Sequence, residues 1–343
     1  MNEPALVLVN PAAAGGRAGA LVPALRRWLA EHAPAVRLEV PASAQAARDL
    51  AARQDPSLRC ILVGGDGTVH QLLPVLLGSR LRLGLVPLGS GNDTARALGL
   101  QGQPWQEALR HALTAPARPI DVGYLHTQRD PAHAGEPGAR HPPAAGAGEA
   151  GSLASSPDPR PFISSLAAGF DAAVGLRALQ GPAWLRGLPR YLWATFGELA
   201  ALRRCHVRVQ ADGQPVHEGE AIFASVLNTP SYGSGMPAVP DARVDDGQLD
   251  VLVAGAFGRL GALRMLPHLL AGTHLGDARI RTRAFMALRV ESSQPWELAA
   301  DGEPAGRACR WEVRVHAGAL QAVAAPATQA EPGAAQRARQ SQA

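Results

Sequence analysis

The segment CILVGGDGTVHQLL (residues 60–73) contains a short apolar run, a glycine-rich turn and the beginning of a helical pattern. The pattern predicts a buried strand over 60–64 and a helix over 68–79. Glycines between a strand and a helix allow backbone N–H groups to approach a phosphate, and the helix dipole favours its negative charge. The segment therefore predicts a phosphate-binding turn, although a plain tight turn capped by Asp66 would show the same pattern.

Alternating strands and helices extend over the first 120 residues. Further strands are predicted over 5–9, 36–40 and 82–88, and further helices over 17–32, 43–54, 93–98 and 105–115. Such an alternation predicts a parallel sheet covered by helices, with ligands at the carboxyl ends of its strands. The loops 10–17, 64–68 and 88–93 follow these ends. Because Asp66 alone would repel phosphate, it is interpreted as a ligand of a metal ion or a water molecule.

Beyond residue 120 the pattern changes to strands joined by short turns. The predicted strands are 162–170, 206–216, 220–228, 248–254, 279–291 and 310–316, and the predicted helices are 182–204 and 258–271. Asp-Gly pairs at Asp212-Gly213, Asp246-Gly247 and Asp301-Gly302 are typical of hairpin turns. The predicted fold class is thus α/β: a nucleotide-binding domain with a parallel sheet (1–120) and an antiparallel β-rich domain (121–325).

Two segments lack apolar periodicity and are rich in small and polar residues and proline. They are predicted to be a disordered insertion at 126–161 and a disordered tail at 326–343.

The composition excludes several kinds of chemistry. The chain has 33 basic side chains against 29 acidic ones, a net charge of +4, and none of the basic residues is lysine. Walker-type and protein-kinase lysines and Schiff-base chemistry are therefore excluded, and any phosphate must be bound by backbone N–H groups, arginine and metal. Three scattered cysteines indicate neither a zinc site nor a disulfide framework. Without a signal peptide or a long apolar run, the chain is expected to be cytoplasmic and not to span a membrane.

The ordered motifs of this chain, taken together, resemble the diacylglycerol kinase catalytic domain family. The motifs are VNPAAAGGRA (9–18), GGDGTVHQLL (64–73), VPLGSGNDTARALGL (86–100), PIDVG (119–123), AGFDA (168–172), NTP (228–230), GSG (233–235), PDA (240–242), DDGQLD (245–250) and DGEP (301–304). The GGDGT motif alone also occurs in NAD kinases. The glycine loop with Asn92-Asp93 and the DDG and DGE turns favour the lipid-kinase branch.

The resemblance implies roles for individual residues. The residues implied in ATP binding are Asn10, Gly64, Gly65, Asp66, Gly67, Thr68, Val69, His70, Ser90, Asn92 and Asp93. One of Asp301 and Glu303 is implied to be the base that deprotonates a lipid hydroxyl, and both remain candidates. Asp246, with backbone oxygens of Arg243 and Gln248, is implied to hold Mg²⁺. Relatives often place an ATP-contacting threonine where this chain has Pro41-Ala42-Ser43, so that contact falls to Ser43 or is absent.

These roles describe an ATP- and Mg²⁺-dependent kinase of a diacylglycerol-like or sphingoid lipid. Residues 177–208 contain six arginines and a single acid, Glu198, interleaved with aromatic residues. This composition suits an anionic bilayer at the inner membrane face, and equally a packed helix with solvated arginines.

Other functions stay open beside the lipid kinase. The alternatives are an NAD kinase-like enzyme and a non-catalytic, nucleotide-binding regulatory protein. A homodimer is a candidate assembly of the chain. A nucleic-acid-binding protein is disfavoured, since the basic sequence contains no recognised nucleic-acid-binding motif.

Overall fold

The structure, a computed structural model, describes residues 3–89, 91–128, 159–182, 184–185, 187–233 and 235–325. Most of the predicted 126–161 insertion and the whole 326–343 tail lie outside these residues. The same holds for Ser90, implied in ATP binding, for Arg186 of the basic stretch and for Ser234 of the GSG motif.

The described residues form thirteen strands and eight α-helices. The strands are β1 (Ala5–Val9), β2 (Val36–Glu39), β3 (Arg59–Gly64), β4 (Arg82–Pro87), β5 (Ala117–Thr127), β6 (Arg160–Phe162), β7 (Ser165–Ala168), β8 (Cys205–Ala211), β9 (Gln214–Leu227), β10 (Leu249–Gly255), β11 (Ile280–Phe285), β12 (Ala287–Ala300) and β13 (Glu303–Val323). The helices are α1 (Arg17–His32), α2 (Ala44–Ala52), α3 (Asp66–Leu77), α4 (Asp93–Ala97), α5 (Trp105–Thr114), α6 (Phe170–Leu179), α7 (Leu188–Leu199) and α8 (Arg259–Ala271).

The N-terminal part is the predicted parallel sheet, with the strand order β2-β1-β3-β4. Every residue of β1 and β3 is buried, as expected for strands with helices on both faces. Leu25 of α1 and Leu109 of α5 pack on one face, and Leu72 of α3 packs on the other. The carboxyl ends of β1, β3 and β4 meet at one edge of the sheet, so that the three predicted loops become neighbours.

The C-terminal part is antiparallel, as predicted, but several of its boundaries differ from the prediction, and the predicted helix 182–204 is shortened to α7. A further difference is that the predicted strand 206–216 divides at Asp212-Gly213 into β8 and the beginning of β9. The predicted strand 162–170 divides into β6 and β7, and α6 begins at Phe170 after Gly169, whose φ is 78°. The predicted strand 279–291 divides at Met286 into β11, which pairs with β10, and β12, which pairs with β8. The division occurs because the partner strand changes, and a single sequence does not specify partners. Helix α6 and strand β5 were not predicted.

The last strand joins the two parts. Over most of its length β13 pairs with β5 and β12, but Gln321 and Ala322 pair in parallel with Arg82 and Leu83 of β4. Leu320 belongs to the hydrophobic core of the N-terminal sheet. Strand β13 therefore belongs to both of the parts that the sequence separates at residue 120. Through this strand the DGE turn at its beginning is held against the N-terminal domain.

Candidate functional site

The first glycine-rich loop lies between β3 and α3, and glycine is required in it for space. A Cβ atom on Gly65 would lie 2.8 Å from the Cα atom of Gly89 in the next loop, and one on Gly64 would lie 2.4 Å from the hydroxyl of Thr68. Helix α3 begins at Asp66, so the positive end of its dipole faces the same edge of the sheet. The two loops therefore approach each other through their backbones, which a side chain at Gly65 would prevent.

The second loop is closed by Asn92, which has a left-handed φ of 54°. Its side-chain oxygen accepts a hydrogen bond from the backbone N–H of Gly89 at 2.8 Å, and its Nδ2 donates to the carbonyl of the same residue at 3.1 Å. Both bonds of the amide are internal to the loop. Asn92 thus shapes the backbone of this loop, as the left-handed conformation and short polar side chain of asparagine allow.

Asp66 connects the two loops. Its two carboxylate oxygens accept the backbone N–H groups of Asp93 and Thr94, each at 3.0 Å, at the beginning of α4. These are the bonds of a helix N-cap, in which a carboxylate meets free N–H groups and the positive end of the helix dipole. In this structure Asp66 thus joins the two loops, and its interpretation as a ligand of a metal ion or a water molecule stays a prediction.

The third loop closes the edge beside β1. Asn10 donates from Nδ2 to Oγ1 of Thr68 at 3.0 Å, and these two residues line a cavity of about 560 Å³ that also includes Pro41 and Ala42. The hydroxyl of Ser43, in the same cavity, accepts the N–H of Ala46 as the N-cap of α2. The hydroxyl of Ser43 thus caps α2 and keeps its own hydrogen for a further bond, so the substitute contact at Ser43 stays a prediction.

Asp301 lies in the two-residue turn between β12 and β13, with φ of 49°, followed by Gly302 with φ of 84°. Its side chain has no exposed surface. The carboxylate accepts hydrogen bonds from the backbone N–H groups of Ile163, Ser164 and Ser165 and from the hydroxyl of Ser164, at 2.7 to 3.2 Å. Its oxygens are therefore surrounded by donors from the segment between β6 and β7.

His70 of α3 joins the Asp301 turn to the first glycine-rich loop. Its Nδ1 lies 2.9 Å from Oδ2 of Asp301. Burial lowers the pKa of His70, but the hydrogen bond to Asp301 and the charges of Asp301 and Glu303 outweigh burial, so that the pKa lies above its ordinary value. The structure therefore brings together residues that the sequence places more than 200 positions apart.

Glu303 has surroundings different from those of Asp301. Its Oε1 lies 3.6 Å from the position that a Cβ atom on Gly67 would occupy. Its side chain makes no hydrogen bond or ion pair with any residue that the structure describes. One carboxylate of the DGE turn is thus held by donors, and the other is available beside the glycine-rich loop.

The turn around Asp246 lies at the end of the long connection between β9 and β10, instead of in a tight hairpin. The buried Asp121 accepts the N–H of Gly247 at 2.7 Å, and Asp245 pairs with the guanidinium groups of Arg118 and Arg243. Burial raises the pKa of Asp246, and the charge of Asp121 adds to this effect. Asp245 is thus compensated by arginines, whereas the charge of Asp246 is not favoured by its surroundings.

The described residues contain no group of three His, Cys, Asp or Glu side chains that could hold a metal ion. The implied site needs only one side chain, Asp246, because its other ligands are the backbone oxygens of Arg243 and Gln248. Carboxylate and carbonyl oxygens are the ligands that suit Mg²⁺, and a cation would relieve the unfavourable charge of Asp246. The donor set therefore fits such an ion.

A cavity of about 620 Å³ lies between α6, α7 and α8 and the strands β9 and β10. Its walls are mainly apolar and include Phe170, Val174, Phe223, Leu252, Met265 and Leu269. The buried Asp171 lies at its wall and accepts hydrogen bonds from the hydroxyls of Tyr191, Ser225 and Tyr232 at 2.6 to 3.0 Å. Burial raises the pKa of Asp171, against the lowering effect of these three bonds.

His274 adds a further polar atom to this cavity. Its Nε2 lies 2.8 Å from the carbonyl of Ala238, and its buried Nδ1 has no partner among the described residues. Since a carbonyl accepts, Nε2 carries the hydrogen and Nδ1 is an acceptor. The cavity thus combines apolar walls with one unsatisfied hydrogen-bond acceptor.

The sequence did not identify this cavity. Asp171 belongs to the quoted AGFDA motif without a predicted role, and Tyr232 and His274 were not singled out. A carboxylate among the apolar residues of α6 is the signal that could have indicated it. The cavity is linked to the loops, because Ser231, next to Tyr232, donates to Oδ1 of Asp93 at 2.9 Å.

Comparisons with known proteins agree with this arrangement. Residues 4–125 match the model of the diacylglycerol kinase catalytic domain, and residues 164–324 match that of the YegS C-terminal NAD kinase beta sandwich-like domain. A diacylglycerol kinase of Mycobacterium tuberculosis is 29% identical over 231 residues, which are 67% of this chain and 66% of that protein. A diacylglycerol kinase of Bacillus subtilis is 26% identical over 72% of this chain and 71% of its own length.

The fold is also known from a solved structure. A diacylglycerol kinase from Bacillus anthracis superposes with a TM-score of 0.63 and 19% identity, covering 95% of this chain and 98% of that one. At this identity the likeness concerns the fold, a parallel N-terminal sheet joined to an antiparallel β-rich domain.

Proposed function

Because residues 4–125 match the diacylglycerol kinase catalytic domain and residues 164–324 match the YegS C-terminal domain, we propose that the chain is a lipid kinase that transfers the γ-phosphoryl group of ATP to a hydroxyl of a diacylglycerol-like or sphingoid lipid. The observation that carries the proposal is the contact between the DGE turn and the first glycine-rich loop. The 2.9 Å bond from His70 to Asp301 and the position of Glu303 beside Gly67 bring carboxylates to a backbone surface suited to phosphate.

The nucleotide is proposed to lie along the three loops at the carboxyl ends of β1, β3 and β4. Backbone N–H groups and the dipole of α3 would bind its phosphates in place of lysine, which this chain lacks. The cavity between Asn10, Thr68 and Pro41 extends from the same edge and is proposed for the rest of the nucleotide.

Glu303 is proposed as the general base. The oxygens of Asp301 are already occupied by donors, whereas Glu303 has no partner among the described residues and lies beside the glycine-rich loop. Glu303 takes the proton of the lipid hydroxyl while the hydroxyl oxygen bonds to the γ-phosphorus. The bond from that phosphorus to the β–γ bridging oxygen breaks, and ADP leaves with its electron pair.

Mg²⁺ is proposed as the metal cofactor. Asp246, with the backbone oxygens of Arg243 and Gln248, would hold it, and the ion would offset negative charge that this chain cannot offset with lysine.

The acceptor lipid is proposed to place an apolar chain in the cavity between α6, α7 and α8. The walls of this cavity are mainly apolar, and they suit an alkyl chain. The hydrogen bond between Ser231 and Asp93 places the Tyr232 end of the cavity next to the second loop. A lipid bound there would therefore have its polar end directed to the proposed nucleotide.

The same three helices expose apolar side chains to solvent, and we propose that this face meets the membrane. Leu179 of α6, Phe196 of α7 and Leu260 of α8 are 51%, 56% and 70% exposed, and Trp184, in the connection between α6 and α7, is 79% exposed. Arg177 stacks on Trp193, with its Cζ atom 5.3 Å from the ring centroid. Exposed aromatic residues beside arginines suit an anionic bilayer surface. Among the described residues, no helix is long and apolar enough to cross a bilayer.

The test is phosphorylation of lipids by the purified chain. With radiolabelled ATP and Mg²⁺ we expect label in diacylglycerol or a sphingoid base, and more label when the lipid is presented in anionic vesicles than in zwitterionic ones. Glu303→Gln should lower kcat by about 10² to 10⁴, the usual contribution of a general base. Glu218→Gln, an exposed residue of β9 paired with Arg208, is the matched control and should keep full activity.

Three other outcomes would contradict the lipid kinase or the role of Glu303. Label in NAD with none in any lipid would make the chain an NAD kinase-like enzyme. Binding of ATP without transfer to either would favour the regulatory protein. Full turnover by Glu303→Gln would exclude Glu303 as the base.

A further inference from the structure

His70 combines features that no other described residue of the candidate site shares. It begins the second turn of α3, two residues after Thr68 of the glycine-rich loop, and contacts the DGE turn across the two domains. About a quarter of its side chain stays exposed, whereas the side chain of Asp301 is fully buried. Its ring therefore extends from a buried carboxylate to solvent beside the first glycine-rich loop.

Asp301 determines which nitrogen of His70 faces the cleft. The backbone N–H groups of Ile163, Ser164 and Ser165 and one hydroxyl all donate to this carboxylate, so it acts as an acceptor. Nδ1 of His70 must therefore carry the hydrogen in their 2.9 Å bond. Nε2 is left without a hydrogen-bond partner in the described part of the chain, and it is the atom that a ligand can reach.

The charges around the ring favour its protonated form. Asp301 and Glu303 are the anions that face it, from the β12–β13 turn and from β13, and Arg160 of β6 is the opposing cation. The pKa of His70 lies above its ordinary value because the two carboxylates outweigh burial and Arg160. Helix α3 contains neither lysine nor arginine, so protonated His70 is its cationic side chain.

We infer that protonated His70 donates from Nε2–H to a non-bridging oxygen of the phosphoryl group in transit, with Asp301 as the positioning residue that fixes the ring. The inference rests on the proposed phosphoryl transfer. The lone pair of neutral Nε2 could instead take the proton of the acceptor, and this alternative predicts the opposite pH dependence. If His70 acts as a cationic donor, activity falls as the pH rises through its pKa. If it acts as a neutral base, activity rises over the same range.

The test is the pH profile of kcat for the full chain and three variants. The wild type should lose activity as the pH rises through the raised pKa of His70. His70→Asn should be roughly 10²-fold slower at neutral pH, the usual cost of one transition-state donor, and should lack this alkaline limb. His70→Lys should be faster than His70→Asn and keep its activity to higher pH. His206→Asn, an exposed histidine of β8, is the control and should match the wild type.

A second measurement does not depend on lipid turnover. NMR titration of the imidazole signals, with His70 assigned from the His70→Asn spectrum, should show the pKa of His70 rising further when a non-hydrolysable ATP analogue is bound. An unchanged pKa, or equal pH profiles of wild type and His70→Asn, would overturn the inference. An acidic limb that disappears in His70→Asn would make His70 the base instead. If no lipid is phosphorylated, the proposed function fails, and the NMR titration alone decides the role of His70.

Discussion

Two turns of this molecule share a sequence and a backbone but have different surroundings. Asp212-Gly213 joins β8 to β9 and Asp301-Gly302 joins β12 to β13, each as a two-residue loop following an alanine. The φ values are 50° and 76° in the first turn and 49° and 84° in the second. Two positive φ angles are the mark of the type I′ hairpin turn that Asp-Gly favours.

The two turns also make similar hydrogen bonds to neighbouring segments. The backbone N–H of Asp212 donates to the carbonyl of Ala287, and that of Asp301 donates to the carbonyl of Ser165, both at 2.8 Å. The carboxylate of Asp212 accepts the N–H groups of Met286 and Ala287, as that of Asp301 accepts those of the segment before β7. The difference is that Asp212 is exposed, whereas Asp301 is buried and holds His70 from the other domain. The dipeptide sets the backbone, and the tertiary surroundings make one of the two turns part of the candidate site.

Replacement of each aspartate by alanine should give the largest difference in stability and activity between the two turns. The strain of alanine at positive φ is common to both variants. Asp301→Ala should in addition lower the free energy of unfolding by about 2–4 kcal/mol more than Asp212→Ala, because buried N–H groups lose their acceptor. Only Asp301→Ala should abolish lipid phosphorylation.

Urea denaturation followed by circular dichroism measures the difference between these two variants. Equal losses in the two variants would show that the donors around Asp301 find other partners, and the distinction between the turns would not be energetic.

Replacement of each glycine by alanine should show the turns to be locally the same. A Cβ atom added to Gly213 or Gly302 would meet no described atom within 4 Å, and the φ values of the two glycines are 76° and 84°. Gly213→Ala and Gly302→Ala should therefore each cost about 1 kcal/mol, from the left-handed backbone alone. Thermal denaturation of both variants is the measurement. A much larger loss for Gly302→Ala would mean that the site, and not the dipeptide, constrains that backbone.

The smallest effect should be a pH dependence confined to one turn. His70 has a raised pKa, so its stabilisation is fully present below its unfolded pKa of about 6.5 and is lost as the pH rises through the folded value. The difference in unfolding free energy between wild type and His70→Asn should therefore be larger at pH 6 than at pH 9. The difference between wild type and Asp212→Ala should not change between these pH values. A constant His70→Asn difference would contradict a charged pair at Asp301.

The sequence predicted the N-terminal part best. Strand β1 and helix α1 have the predicted bounds, and β3 and β4 differ from prediction by one residue at an end. Continuous apolar runs and helical periodicity are local signals, and a parallel sheet covered by helices follows from their alternation. In the C-terminal part β5 and the break at Met286 depend on the partner strands, which local patterns do not encode.

The candidate site shows the same division. The glycine loops and the DGE turn were identified by their motifs, because the backbone conformations they require restrict the residue types. The capping bonds of Asp66 and the link from Ser231 to Asp93 were not foreseen, since each joins residues that only folding brings together. Asp171 and its three hydroxyl partners were missed for the same reason.

The sequence by itself determined the two-part architecture, the glycine-rich loops and the absence of lysine, because these depend on local conformational preference and on composition. The tertiary structure decided which of two identical Asp-Gly turns meets α3, and which carboxylate of the DGE turn is held by donors. Both decisions depend on burial and on distant partners, His70 at 231 positions from Asp301 and the donors of residues 163–165 at 136 to 138 positions. A short motif can specify a backbone conformation, but the hydrogen bonds and charges that give a carboxylate its role come from the whole fold.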